Sequence, residues 1–324
     1  MPDAVLEAVA RHPIGHRTAD FSKMLEEAVE GLKWLGETKN DALVLTASGT
    51  GAMEAALANT LNAGDKVLSL ICGVFSERWA RIAEAFGANV ERLAVEPGKP
   101  YSLDAIKQAL DADKEKSIKV VTITHNETST GVLNDLQAIA RMVRNHGALS
   151  VVDAVTSFGA TRLPIDEWGV DVVVTGSQKA LMMPPGLAVI FFGERAWKAC
   201  AACKTPRFYF DLNRYKKSLL QQTTPFTPNV SLVAGLQVSL KMIKEEGTES
   251  IFARHEGMRD TLRAGLTALG LKLFVDEDAA SPSITAILPP GDLKVDAIRK
   301  ALRQRFCILA ADGQEELKGK IFRI

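Results

Sequence analysis

Short apolar runs alternate with amphipathic helical stretches over residues 42–193, and a helix is expected from about Ala52 after the first run. Runs separated by helices in this way predict strands of a mostly parallel sheet that is covered by helices on both faces. Ligands bind at the carboxyl ends of such strands, so we expect the functional residues there. The runs are ALVLTA (42–47), KVLSLI (66–71), NVERLAV (89–95), IKVVTITH (118–125), ALSVVDAV (148–155), DVVVTG (171–176) and LAVIFFG (187–193).

The pattern changes near Pro206, where turn residues replace the apolar runs. A long helical stretch then runs from about Val230 to Leu269, with a break near Gly247. The segments that follow it, LKLFV, SITAILPP, VDAIRKALRQRF, CILAAD and KIFRI, predict a small α+β unit. We therefore expect a large domain over residues 1–235 and a small C-terminal domain over residues 236–324, with the N-terminal segment attached to the small domain or to a dimer contact.

Charge and cysteine content narrow the possible partners. Lys and Arg together number 39, as do Asp and Glu, so no charge excess favours a nucleic acid or an anionic membrane. No apolar run reaches the ~20 residues of a membrane span, and the N-terminus lacks the layout of a signal peptide. Four cysteines in 324 residues fit a reducing compartment. We predict a cytoplasmic protein whose partners are small molecules and further copies of itself.

Metal-binding patterns are weak. Cys200 and Cys203 form a CxxC pair within a stretch that reads as helix, where residues three apart share a face, and plain packing is the expected role. No second pair stands at a matched spacing, and the five histidines form no HExxH or HxH group. We predict no metal site.

Three polar features stand where strands are predicted to end. In TASGTGAMEAAL (46–57), small residues join a strand to a helix, an arrangement that either binds a phosphate or simply caps the helix. Asp153 ends an apolar run, where it caps a turn or meets a cation. Lys179 follows the next run and is either a solvated head group or an amine with a chemical role. An anion site, a carboxylate and an amine at one sheet edge are the set that pyridoxal phosphate needs.

Four segments then indicate a family. SGTGAMEAAL, THNETSTGVLNDL, VVDAVTSFGA and TGSQKALMMPPGLAV occur in the order, and at close to the spacing, of the class V aminotransferases. The chain resembles the alanine–glyoxylate and serine–pyruvate/glyoxylate enzymes, and within them the branch often labelled soluble hydrogenase small subunit. The resemblance extends over essentially the whole chain. It implies the fold of the type I pyridoxal-phosphate-dependent transferases and a homodimer with shared active sites.

The resemblance assigns cofactor roles to matching residues. Lys179 would form a Schiff base with pyridoxal 5′-phosphate and move a proton between substrate and cofactor. Asp153 would keep the pyridine nitrogen protonated. The other implied contacts are Thr50, Gly51, Ala52 and Gln178 to the phosphate, Phe75 and Val155 to the two ring faces, Thr128 to the phenolic oxygen, and Thr224 and Thr227 to the phosphate in the partner subunit.

Substrate recognition is implied for Arg323, whose planar guanidinium would hold the substrate α-carboxylate by two hydrogen bonds. The segment HPIGHR, residues 12–17, resembles one that lies near the mouth of the substrate site. Family members usually start with a Pro-Gly-Pro stretch further upstream and continue some tens of residues beyond the arginine. A chain that ends at Ile324 is therefore expected to have an incomplete small domain, poor stability and weakened activity.

The function that follows is ping-pong transamination between a small amino acid, alanine or serine, and a small 2-oxo acid, glyoxylate or pyruvate. A cysteine desulfurase or another class V lyase is the alternative with the same fold. Those enzymes carry histidines where this chain has Phe75 and Gln178, and Cys307, the candidate nucleophile, reads as the start of a buried strand. A hydrogenase-associated subunit would need cysteine ligands that the sequence lacks. A non-catalytic homologue is disfavoured because Lys179 and Asp153 are both present.

Overall fold

The computed structural model describes residues 1–324. It contains twelve α-helices, which we number α1 to α12 along the chain: Asp3–Ala10, Ala19–Leu35, Gly49–Ala58, Val74–Ala85, Leu103–Ala112, Leu136–His146, Ile165–Trp168, Glu194–Ala202, Leu212–Leu219, Val230–Glu246, Thr248–Ala268 and Val295–Phe306. It also contains twelve strands, β1 to β12: Asp41–Leu45, Lys66–Ile71, Asn89–Ala94, Ile118–Thr124, Asn126–Glu127, Val132–Leu133, Leu149–Asp153, Val172–Gly176, Ala188–Phe192, Ala286–Ile287, Ala311–Asp312 and Phe322–Arg323.

Seven strands form the central sheet, in the order β1-β9-β8-β7-β4-β2-β3. Strand β9 runs antiparallel to both of its neighbours, and the other pairings are parallel. Side chains alternate between the faces: Val172 and Val174 of β8 pack in a cluster with α3 and α4, whereas Val173 packs in another cluster with α2, α6 and α10. Helices cover both faces, which confirms the predicted mostly parallel α/β fold.

Three neighbouring strands, β4, β7 and β8, end at one edge of this sheet. The register pairs Thr124 of β4 with Asp153 of β7, and Asp153 with Val174 of β8. Strand β8 ends at Gly176, three positions before Lys179. Because parallel strands bring their carboxyl ends to the same edge, Asp153 and the loop that carries Lys179 lie together there.

The C-terminal part contains a three-stranded antiparallel sheet in the order β10-β12-β11. Leu266 of α11 and Val295 of α12 pack against Ile287 and Phe322 of this sheet, in agreement with the predicted α+β unit. The expectation for Cys307 was wrong. Cys307 is exposed and caps α12 with a left-handed φ of 55°, because the chain turns there before β11 begins.

Helix α10 bears on the predicted domain boundary, because residues 235 and 236 lie inside it. Its residues Leu236, Leu240 and Ile243 belong to the core cluster of the large sheet. The helix ends at Glu246 and is capped by Gly247, where φ is 83°. A division near Gly247 fits this packing better than one after residue 235, and the division into two domains stays a prediction.

Candidate active site

The loop between β1 and α3 presents free backbone amides. Helix α3 begins at Gly49, earlier than predicted, because Ser48 caps it. Ser48 Oγ accepts a hydrogen bond from Gly51 N at 3.4 Å, and the Ser48 carbonyl accepts one from Ala52 N at 3.1 Å. The first amides of a helix have no carbonyl of their own helix to bind. Gly49 and Thr50 therefore offer free donors for an anion, and the contacts of Gly51 and Ala52 with the phosphate stay a prediction.

The end of β8 meets the start of α3. A Cβ added to Gly176 would lie 2.8 Å from Gln178 Oε1 and 3.6 Å from Gly49 N, and one added to Gly49 would lie 2.8 Å from Val155 Cγ2. Gln178 Oε1 is buried and has no hydrogen-bond partner. An amide oxygen only accepts hydrogen bonds, so Gln178 would bind a phosphate through the donors on its Nε2. We call Gly49, Thr50, Gly176 and Gln178 the phosphate cup; their arrangement fits the phosphate of pyridoxal phosphate.

Asp153 ends β7 with only 5% of its surface exposed. Burial is the main cause that raises the pKa of its carboxyl to about 7 from 3.8. A hydrogen bond from Val155 N to Asp153 Oδ1, at 2.8 Å, acts in the opposite direction, as do the charges of Arg78 and Lys179. A buried carboxyl of this kind gains from a cation in direct contact, and the protonated nitrogen of a pyridine ring would supply one.

Lys179 lies in the loop that joins β8 to β9, and its side chain is exposed. Ser177 holds the loop in shape: its hydroxyl donates to Pro184 O at 2.6 Å and accepts from Leu187 N at 3.2 Å. Lys179 lines a cavity of about 380 Å³. Other residues of this cavity include Thr156, His255, Arg259, Ser283 and Ile324. The lysine amine is therefore accessible to a small molecule at the sheet edge.

Phe75, the predicted ring-stacking residue, lies in the first turn of α4. Its amide donates a hydrogen bond to Glu127 Oε1 at 3.3 Å, and the amide of Ser76 donates to Glu127 Oε2 at 2.9 Å. Glu127 is fully buried and also accepts from Ser129 Oγ at 2.6 Å. The sequence reasoning missed Glu127, although a carboxylate inside the segment THNETSTG, directly after an apolar run, is a signal that could have found it.

Arg323, the predicted substrate-binding arginine, is held by backbone carbonyls. Its Nη1 donates to Thr128 O at 2.7 Å, and its Nε and Nη2 donate to Asp312 O at 3.0 and 2.7 Å. A guanidinium has five N–H groups, so one remains on each terminal nitrogen. Such a pair suits a carboxylate. The side chain of Thr128 bonds the hydroxyl of Thr156, which lines the cavity at Lys179.

The segment around Thr224 and Thr227 lies beside the loop that leads into α3. Asn229 N donates to Thr46 Oγ1 at 3.0 Å, and Thr224 Oγ1 donates to Phe226 O at 2.8 Å. Thr227 is exposed. The predicted mouth segment, residues 12–17, packs here too, since Arg17 Nη1 donates to Thr224 O at 2.8 Å. The structure brings these two segments to each other and does not bring either of them against Lys179.

Arg78, which the sequence reasoning also missed, contacts two predicted cofactor residues. Its Nη1 donates to Thr50 Oγ1 at 2.8 Å, and its Cζ lies 4.6 Å from the centre of the Phe75 ring. The only sequence signal is the spacing of three residues from Phe75 on a helix. The contact with Thr50 depends on how α3 and α4 pack together.

The structure contains no group of three or more His, Cys, Asp or Glu side chains that could hold a metal ion. Cys200 is buried in α8, and Cys203 is the residue that caps this helix. Arg207 contacts both sulfur atoms, at 3.8 Å from Cys200 and 3.3 Å from Cys203. No helix of the structure combines the length and the apolar character needed to cross a membrane.

Comparison with known proteins assigns the chain to a family. The family model "Aminotransferase class-V" matches residues 6–321. The soluble hydrogenase 42 kDa subunit of Anabaena cylindrica is 50% identical over 325 residues, which cover 100% of this chain and 85% of that protein. The L-aspartate–glyoxylate aminotransferase of Paracoccus denitrificans is 38% identical over 100% of this chain and 83% of its own length. The crystal structure of an alanine–glyoxylate aminotransferase from Nostoc sp. matches with a TM-score of 0.95 and 29% identity, over 99% of this chain and 86% of the other. The chain belongs to the class V aminotransferase family and is a pyridoxal-phosphate-dependent aminotransferase of fold type I.

Proposed function

We propose that the protein exchanges amino groups between a small amino acid, alanine or serine, and a small 2-oxo acid, glyoxylate or pyruvate, in two alternating half-reactions. The observation that carries the proposal is the pairing of Asp153 with β8, the strand that leads to Lys179. Arg323, with one free N–H on each terminal nitrogen, supports a substrate that carries an α-carboxylate. Relatives that are named as glyoxylate aminotransferases support a 2-oxo acid of this size.

Each residue would have one task. Pyridoxal phosphate, when bound, supplies an electron sink for the negative charge that develops on the substrate α-carbon. Lys179 Nζ would bind the cofactor covalently and, once free, carry the α-proton. Asp153 would keep the ring nitrogen protonated. The carboxyl group of Asp153 would itself be ionised there, because the adjacent cation stabilises a carboxylate. Phe75 would support one face of the ring, and Arg323 would orient the substrate by its carboxylate.

We also propose a cytoplasmic homodimer in which the segment around Thr224 and Thr227 reaches the cofactor phosphate of the partner subunit. Thr227 is exposed, so its side chain is accessible to a second copy. Phe208 is 65% exposed and packs on Phe226 of the same segment, as expected for an apolar surface that a partner covers. The four free cysteines fit a reducing compartment.

A panel of half-reactions tests the proposed function. The protein loaded with cofactor is mixed with one amino acid at a time, and the visible absorbance of the lysine-bound cofactor is followed. Alanine or serine should convert the cofactor to its amine form, and glyoxylate or pyruvate should restore it. Lys179→Ala should lack both the lysine-linked absorbance and turnover, because no other amine lies at this position. Failure of every small amino acid to change the spectrum would contradict the proposal.

Cysteine desulfuration is a second candidate, because Cys307 is exposed rather than buried. Cys307 follows α12 and does not line the cavity at Lys179. Sulfide release from cysteine, abolished by Cys307→Ser, would favour this function over transamination.

A further inference from the structure

Arg78 lies on α4, one helical turn after Phe75, and joins two parts of the predicted cofactor site. Its Nη1 donates a hydrogen bond to Thr50 Oγ1 at 2.8 Å, within the phosphate cup. Its guanidinium lies over the Phe75 ring, with Cζ 4.6 Å from the ring centre. The contact with Phe75 follows from helical spacing, whereas the contact with Thr50 requires α3 and α4 to pack side by side, as they do.

The positive charge of Arg78 has no carboxylate partner, since no ion pair of the structure includes it. The adjacent Glu77 pairs instead with Arg81 at 3.6 Å and with Arg92 at 3.1 Å. The amino end of α3 adds a positive partial charge at Thr50. Two positive groups that meet at one hydroxyl oppose each other, so the site favours an anion between them.

From this arrangement we infer that Arg78 binds the phosphate group of the cofactor and supplies the positive charge that the phosphate cup otherwise lacks. The inference rests on the proposed position of the cofactor. The other donors of the cup, the amides of Gly49 and Thr50 and the side-chain amide of Gln178, are neutral. A guanidinium presents its N–H groups in a planar fork that matches phosphate oxygens. Arg78 can keep one N–H on Thr50 while others face the anion.

The test compares two ligands that differ only in the phosphate. Pyridoxamine 5′-phosphate and pyridoxamine are titrated into the cofactor-free protein by isothermal calorimetry. Arg78→Gln should weaken binding of the phosphate ester about ten- to hundredfold, the effect of losing a hydrogen bond to a charged group, and leave pyridoxamine unchanged. Arg81→Gln is the matched control, because it makes the same charge change on the same helix at a side chain that is 67% exposed. It should alter neither affinity.

Two outcomes would overturn the inference. An equal loss of affinity for both ligands in Arg78→Gln would show that Arg78 acts through the Phe75 ring and not on the phosphate. Unchanged affinity for both ligands would show that Arg78 does not contact the cofactor at all.

Arg78→Lys gives a second measurement if the glutamine variant does not fold. Lysine keeps the charge and loses the planar fork, so a smaller loss is expected for the phosphate ester and none for pyridoxamine. Equal losses for both ligands would again overturn the inference. Neither ligand forms a covalent bond to Lys179, because both carry an amine in place of the aldehyde. The ratio of the two ligand affinities is therefore expected to be the same in Lys179→Ala protein. A failure of the proposed transamination would therefore leave this result intact, and the two proposals fail separately.

Discussion

Glu127 and Phe75 are joined by a hydrogen bond from the Phe75 amide to Glu127 Oε1, at 3.3 Å, although they belong to different elements of the fold. The same carboxylate accepts from the amide of Ser76 and from the hydroxyl of Ser129. It therefore ties the first turn of α4 to the segment that follows β5. The position of the Phe75 ring depends on this buried carboxylate.

Glu127→Gln should destabilise the protein. Each carboxylate oxygen of Glu127 accepts at least two hydrogen bonds, and an amide nitrogen in place of either oxygen would face an N–H donor. We expect the free energy of unfolding to fall by about 1–3 kcal/mol, measured by urea titration followed by circular dichroism. Glu96→Gln is the control, because Glu96 is exposed. Equal stability of the two variants would contradict the assigned role of Glu127.

Asp153→Asn should remove a pH-dependent part of the stability of the cofactor-free protein. The pKa of Asp153 is raised by burial to about 7, so the folded state keeps a proton that the unfolded chain releases near pH 3.8. The unfolding free energy of the wild type should therefore fall as pH rises between about 4 and 7, by roughly 4 kcal/mol relative to the variant, and level off above that range. Denaturant titrations across this range measure the difference. Parallel pH profiles for the two proteins would show that Asp153 does not have a raised pKa.

Gly176→Ala should weaken cofactor binding with little effect on stability. The added Cβ would lie 2.8 Å from Gln178 Oε1, the far end of a side chain that can move away, but a displaced Gln178 leaves the phosphate cup. We expect the affinity for pyridoxal phosphate to fall about tenfold, the effect of one lost hydrogen bond to a charged group. Gly257→Ala is the comparison: no atom lies within 4 Å of its added Cβ, so binding should not change. A loss of affinity in both variants would show that the effect of Gly176→Ala does not arise in the phosphate cup.

Arg323→Lys should raise the KM for the amino acid more than it lowers kcat. Lysine cannot reproduce the bonds to Thr128 O and Asp312 O and still offer two N–H groups to a carboxylate. We expect an increase in KM of about tenfold or more, measured in steady-state transamination assays. Arg305→Lys, at an exposed position of α12, should leave KM unchanged. An unaltered KM in Arg323→Lys would show that Arg323 does not bind the substrate carboxylate.

The central sheet and the places of Asp153 and Lys179 could be predicted because they follow from apolar runs. Each run that was expected to be a strand of the large sheet overlaps one, and polar residues at the ends of parallel strands must meet at one edge. The small sheet was harder to predict because its strands are only two residues long. Periodicity carries no information at that length, so Cys307 was assigned to a strand although it caps a helix.

Arg78 and Glu127 escaped prediction for a different reason. Their contacts join elements that are far apart in sequence: Arg78 reaches Thr50 on another helix, and Glu127 reaches Phe75 across 52 positions. Nothing in the local sequence distinguishes a half-buried arginine on an amphipathic helix from a solvated one. Only the packing of α3 against α4 reveals that Arg78 lies at the phosphate cup.

The reversed direction of β9 has a consequence for Lys179, the proposed cofactor-binding lysine. Because β8 and β9 are antiparallel neighbours, with Gly176 opposite Ala188, the chain returns to the sheet directly and Lys179 lies on a hairpin loop rather than on a crossover to a helix. Both ends of that loop are fixed by the hydrogen-bonded pairing of β8 with β9. A slip of one residue between β8 and β9 would reverse which side of the sheet each side chain faces. The reach of the Lys179 amine is thus set by the alignment of two hydrophobic strands.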